Sequence, residues 1–164
     1  KFLEKVSQPP EVWEKSDKTS LVINGFSPDE FENSIDEATA ALQIKEIFQS
    51  FGIARGKAIF ICQNPSFDRA YFSQLISTYD QENLNWPYHW LDFASMYWAL
   101  YVTNSKQNSI DNIHLSKDKI AQIHGLPTEQ QPHRAMNGVD HLIQCYSTVI
   151  GYPKSETPRV TNFQ

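Results

Sequence analysis

The sequence predicts an α/β domain, and three observations carry that prediction. An apolar run from Ala58 to Cys62 is short enough to be a strand buried on both faces. Helical signatures bracket it: capping boxes, apolar stripes at helical spacing and closing glycines. A second short segment near Tyr88–Leu91 leads straight into another helical stretch, so strand and helix alternate along the chain. A length of 164 residues is enough for one domain with a substantial core.

The elements follow in order. KFLEKVSQPP is extended from Phe2 to Val6 and halted by Pro9 and Pro10. Ser27 is placed as an N-cap, with Pro28 at the first helical position and Glu30 three residues after the cap. Ser34 and Glu37 form a second capping box, ahead of a helix with Ala41, Ile44, Ile47, Phe48 and Phe51 on one side that stops at Gly52. After the 58–62 strand, a helix is expected from about Ser66 to Tyr79. On it Asp68 shares a face with Phe72, Leu75, Ile76 and Tyr79, a carboxylate at the head of a buried stripe. Asp92 is a candidate cap for the stretch after the second strand, and Ser116 caps a helix closed by Gly125.

TEQQP (Thr128–Pro132) is a loop. The last helix is expected from about Asn137 to Ile150, with Asn137 as N-cap and Asp140 as the acidic arm of its capping box. Val139, Leu142, Ile143, Tyr146, Val149 and Ile150 make its stripe. Residues 153–164 are an irregular polar tail. With only two or three strands in prospect, part of the sheet is expected to lie outside this chain.

Composition narrows the function classes. A net charge of −5 argues against a generic polyanion-binding surface, but clustered carboxylates that hold divalent metal would also make a chain acidic. No apolar run approaches the roughly 18 residues of a membrane span, and no signal-peptide pattern opens the chain. Cys62 and Cys145 lie in apolar surroundings and read as reduced core thiols, so a cytoplasmic location and no membrane partner are expected. The five histidines (89, 114, 124, 133 and 141) and two cysteines match no zinc spacing.

Two stretches carry a family resemblance. NPSFD (Asn64–Asp68), between strand and helix, resembles the second motif, Asn-x-x-Phe-Asp, of the DEDD 3′–5′ exonucleases. HRAMNGVD (His133–Asp140), opening the final helix, resembles the third motif of their histidine subgroup, the DEDDh or DnaQ-like proteins. SLVINGFSPDEF resembles the segment between the family's first two motifs, with Asn24 where a histidine often stands. WLDFASM resembles its next strand end.

The resemblance implies a ribonuclease H-like fold, a mixed sheet flanked by helices. It also implies hydrolysis of DNA or RNA from a single-stranded 3′ end to nucleoside monophosphates. Two Mg²⁺ or Mn²⁺ ions are implied, with Asp68 and Asp140 among their ligands and His133 as general base. Asn64, Phe67 and Asn24 are then nucleic-acid-binding positions. The family's metal-ligand aspartate follows the histidine by five residues; Gly138 fills that place here, and Asp140 stands at seven.

The family's first motif, Asp-x-Glu, is not found in residues 1–26, so residues 1–152 are expected to be the C-terminal portion of an exonuclease domain, slow or inactive alone. The alternative is a non-catalytic exonuclease-like module that binds nucleic acid or a protein. Taken singly, Asp68 and Asp140 also read as first-turn helix acids and His133 as a surface loop residue. Aromatic side chains between residues 86 and 101 would suit a homodimer face.

Overall fold

The structure, a computed structural model, describes residues 1–104 and 114–153. The described residues form a mixed α/β arrangement, mostly helical, around a two-stranded parallel sheet. Strand β1 (Phe60–Cys62) pairs with β2 (Trp90–Asp92) in the register Phe60↔Trp90, Ile61↔Leu91, Cys62↔Asp92. Parallel strands need a crossover, supplied here by α4 (Pro65–Leu75) and α5 (Thr78–Asn83). A chain of short helices precedes the sheet: α1 (Pro10–Lys15), α2 (Lys18–Asn24), a 3-10 turn (Pro28–Phe31) and then the longer α3 (Glu37–Ser50). After β2 come α6 (Phe93–Asn104), α7 (Lys117–Ile123) and α8 (Ala135–Val149).

The alternation of side chains along β1 divides the core into two clusters. Phe60 turns toward Phe48 of α3 and Phe72 of α4, in the neighbourhood of Trp86, Ile44 and Ile76. Its neighbour Ile61 packs against the other cluster, built on Phe93, Tyr97, Ile120, Cys145 and Tyr146 from α6, α7 and α8. Helices pack against both faces of the short sheet, yet the strand expected over 58–62 shrinks to Phe60–Cys62 and is half-buried rather than buried, with Ile59 exposed just before it.

Local rules explain most boundaries, and the exceptions are informative. The cap of α3 is Asp36, whose carboxylate accepts from Thr39 N at 2.7 Å, in place of the expected Ser34; that hydrogen bond also holds the Asp36 carboxyl below its usual pKa. Ser34 instead donates to Phe31 O. Asp92 behaves as expected, accepting from Ala94 N and from the Ser95 hydroxyl. The helix expected over 66–79 breaks at Ile76, where the chain turns extended before Ser77 caps α5. No residue of α4 is buried, so Asp68 stands on an exposed turn above the half-buried Phe72 and Leu75, and Tyr79 is exposed on α5.

Pro10 starts α1 where a stop was expected, because a proline suits the first turn of a helix as well as the end of a strand. The opening segment makes one parallel bridge, Val6 to Ile35. The expected tail, 153–164, lies outside the described residues except for Pro153. Among the described residues no helix is long and apolar enough to cross a membrane. Of the aromatic residues between 86 and 101, Trp86, Phe93 and Tyr97 are buried in the two clusters, whereas Tyr88 is about half exposed.

Candidate functional site

A groove of about 1020 Å³ opens at the carboxyl end of β1, between α4 on one lip and the loop leading into α8 on the other. The ends of parallel strands are where open α/β sheets place ligands. Asn64, Phe67 and Asp68 line the first lip and His133 the second, so four of the six residues singled out from the sequence meet here. Asn64 supplies the backbone turn: its carbonyl accepts from Phe67 N and Asp68 N at 3.0 and 3.3 Å, starting α4. Phe67 and Tyr71, one helical turn apart, are 62% and 57% exposed with ring centroids 4.7 Å apart, a ready aromatic surface at the mouth.

Asp68 reaches back toward β1. Burial first, and then the negative charges of Asp68 and Asp92, push the Cys62 thiol up to about 12. Cys62 and Asp92 are register partners at the strand ends, which puts that carboxylate beside the thiol, while Asp68 comes from the first turn of α4.

The second lip is built around a residue that sequence reading missed. Glu129, read as part of a solvated loop, has a side chain only 6% exposed. Its Oε2 lies 2.8 Å from Lys117 Nζ, and its Oε1 touches His133 Nδ1. The contact lacks hydrogen-bond geometry and leaves Oε1 a buried acceptor without a hydrogen bond; a proton on Nδ1 turned toward it would leave Nε2 with its lone pair, the tautomer suited to a base. Lys117 also donates to Gly138 O at 2.9 Å, and its side chain is 12% exposed. Removing one partner of so enclosed a pair would cost about 3–5 kcal/mol. The Glu129 backbone N donates to Asp118 Oδ1 at 2.9 Å; the buried His141 lies 3.5 Å from that same oxygen and donates from Nε2 to Pro127 O. The loop is therefore held at three points.

Helix α8 begins at Ala135, with Arg134 as N-cap, two residues before the expected start. Asn137 is not the cap; its amide donates to Pro132 O at 3.1 Å and steadies the same loop. Gly138 lies inside the first turns, and a Cβ built on it would meet Glu129 Oε1 at 3.4 Å, Lys117 Nζ at 3.7 Å and His133 Cε1 at 3.8 Å. Asp140 does not line the groove; its carboxylate pairs with Lys1 Nζ at 2.7 Å, and its side chain is 44% exposed. Asn24 ends α2, half-buried and outside the groove, although its neighbour Ile23 accepts from the His133 backbone N at 3.2 Å.

These residues do not fit a pair of divalent cations. Only Asp68 of the two expected ligands faces the groove, the place five residues after His133 is a glycine, and an ammonium sits against it. Among the described residues no group of three or more His, Cys, Asp or Glu side chains is disposed to hold a metal ion. No protein-family model, curated protein or solved structure matches the chain.

Proposed function

We propose that the chain is an exonuclease-like module of ribonuclease H-like type whose groove receives the 3′-terminal nucleotides of single-stranded nucleic acid. The observation that carries this reading is the meeting of Asn64, Phe67 and Asp68 with His133 across one groove, with an exposed aromatic pair at its mouth. Bases stack on such aromatic surfaces whatever their identity, and stacking contributes about 1–3 kcal/mol per base. A basic lysine and an imidazole on the opposite lip suit the phosphate. Because the described carboxylates do not fit a metal pair, binding without hydrolysis is the reading for this chain as it stands.

A second reading, hydrolysis, is favoured by one observation: the buried Glu129 holds His133 Nδ1, leaving Nε2 free to take a proton from water. One assay separates the two. A 5′-labelled single-stranded oligonucleotide should bind the wild type at low ionic strength, and Phe67→Ala/Tyr71→Ala should weaken it by about 5- to 100-fold. An unaffected double variant would sink the groove assignment. Release of mononucleotides with Mn²⁺, lost in Asp68→Ala and in His133→Ala, would establish hydrolysis instead.

A further inference from the structure

We infer that Lys117, and not a divalent cation, is the charge that meets phosphate in this groove; the inference rests on the nucleic-acid reading above. The Lys117 ammonium has three protons to donate. One is donated to Gly138 O at 2.9 Å, and Glu129 Oε2 lies in ion-pair contact at 2.8 Å. Both contacts fix Nζ at the groove wall, beside the turn of α8 where position 138 carries no side chain.

A carboxylate at 138 would have met Nζ at once, since even its Cβ would lie 3.7 Å away. The glycine leaves that space open, and among the described residues Lys117 Nζ has no partner beyond Gly138 O and Glu129, which leaves a proton for a ligand oxygen. A divalent ion in the same space would face an ammonium in direct contact, which costs energy in proportion to both charges. A phosphate oxygen there meets a positive group already in place. Glu129 offsets the ammonium charge overall, so a ligand oxygen is met by a directed N–H of Lys117 and not by a net positive field. Asp118, the other nearby carboxylate, accepts from the Glu129 backbone and faces His141.

The test compares oligonucleotide binding by fluorescence anisotropy in EDTA and in magnesium at matched ionic strength. Variants are Lys117→Arg and the paired Lys117→Met/Glu129→Gln, which removes both buried charges together. Wild type should bind equally in EDTA and magnesium. The paired variant should bind about 10-fold more weakly, and because one positive and one negative charge leave together its salt slope should stay near that of wild type. Lys117→Arg should stay within about threefold.

Binding that appears only with the metal, or a paired variant with wild-type affinity, overturns the inference while leaving the nucleic-acid reading intact. If the paired variant fails to fold by circular dichroism, Gly138→Asp decides: its carboxylate should neutralise Nζ and weaken binding in EDTA, and unchanged binding overturns the inference. If wild type binds no oligonucleotide, the nucleic-acid reading falls. Inorganic phosphate then decides by phosphorus-31 line broadening in EDTA: broadening by wild type and not by Gly138→Asp upholds the anchor, and broadening by neither overturns it.

Discussion

Cys62 shows how the groove's charges act on a single residue. Its thiol is pushed up to about 12, chiefly by burial and then by Asp68. A raised thiol pKa keeps the neutral form dominant to higher pH, so at pH 9 only on the order of a thousandth of the side chain is thiolate, the nucleophilic form. Alkylation by iodoacetamide, in a Cys145→Ser background, should therefore be slow at pH 8–9 and rise steeply only toward pH 12. Asp68→Asn removes the second cause and leaves the first, so its rate at pH 9 should exceed that of the parent while staying below an unfolded control. Equal rates in both would show that Asp68 does not reach the thiol.

At the same scale, Asn64, Phe67 and Asp68 were legible because a strand-to-helix turn is a local event written in five adjacent residues. Glu129 was not. Four polar residues in a row, Thr128 to Gln131, look solvated, and the burial of one depends on Lys117 and His133. Asp140 was a ligand only by family resemblance, standing two residues beyond the family's spacing, and the residue that pairs with it, Lys1, is 139 positions away.

At the scale of elements, capped helices could be read and junctions could not. The start of α8 is displaced because tertiary contacts hold the two residues before it. His133 N donates to Ile23 O, while Arg134 donates to Gly25 O and to both Glu30 oxygens and lies over the Phe26 ring. Those hydrogen bonds from Arg134, and then from Lys5, hold the Glu30 carboxyl below its usual pKa. Gly25, at φ +61°, closes α2 against this junction, and an added Cβ would lie 3.0 Å from Pro132 Cβ. Gly52, at φ +63°, has nothing within 4 Å of such a Cβ. Gly52→Ala should thus cost only the left-handed backbone penalty, about 1 kcal/mol. Gly25→Ala should cost distinctly more, about 2–3 kcal/mol, since crowding adds to strain. Urea midpoints of the two variants measure the difference, and equal losses would mean that α2 does not bear on the loop before α8.

For the molecule as a whole, the question is whether two core clusters behave as one domain. Phe93, Ile120 and Cys145 centre one cluster, and Ile76 and Trp86 the other, with helices of different parts of the chain around each. Only three residues of each strand run between them, yet adjacent residues of β1 belong to opposite sides: Phe60 meets Phe48 and Phe72, and Ile61 meets the Phe93 cluster. Neither cluster can lose its packing without exposing one face of the same β1–β2 pair, and so short a ladder has little stability of its own. The two should therefore unfold together. Phe93→Ala and Ile76→Ala sit in separate clusters, at 0% and 1% exposure, and each should cost about 2–5 kcal/mol. Both should lower the midpoint of one shared transition, seen alike by far-ultraviolet circular dichroism and by tryptophan fluorescence in a Trp13→Phe/Trp98→Phe background, where the signal comes from Trp86 and Trp90 at the second cluster. If Phe93→Ala shifted the circular dichroism transition and left the tryptophan transition in place, the clusters would be separate folding units, and the groove, whose two lips belong to opposite clusters, would lose its shape before the protein unfolds.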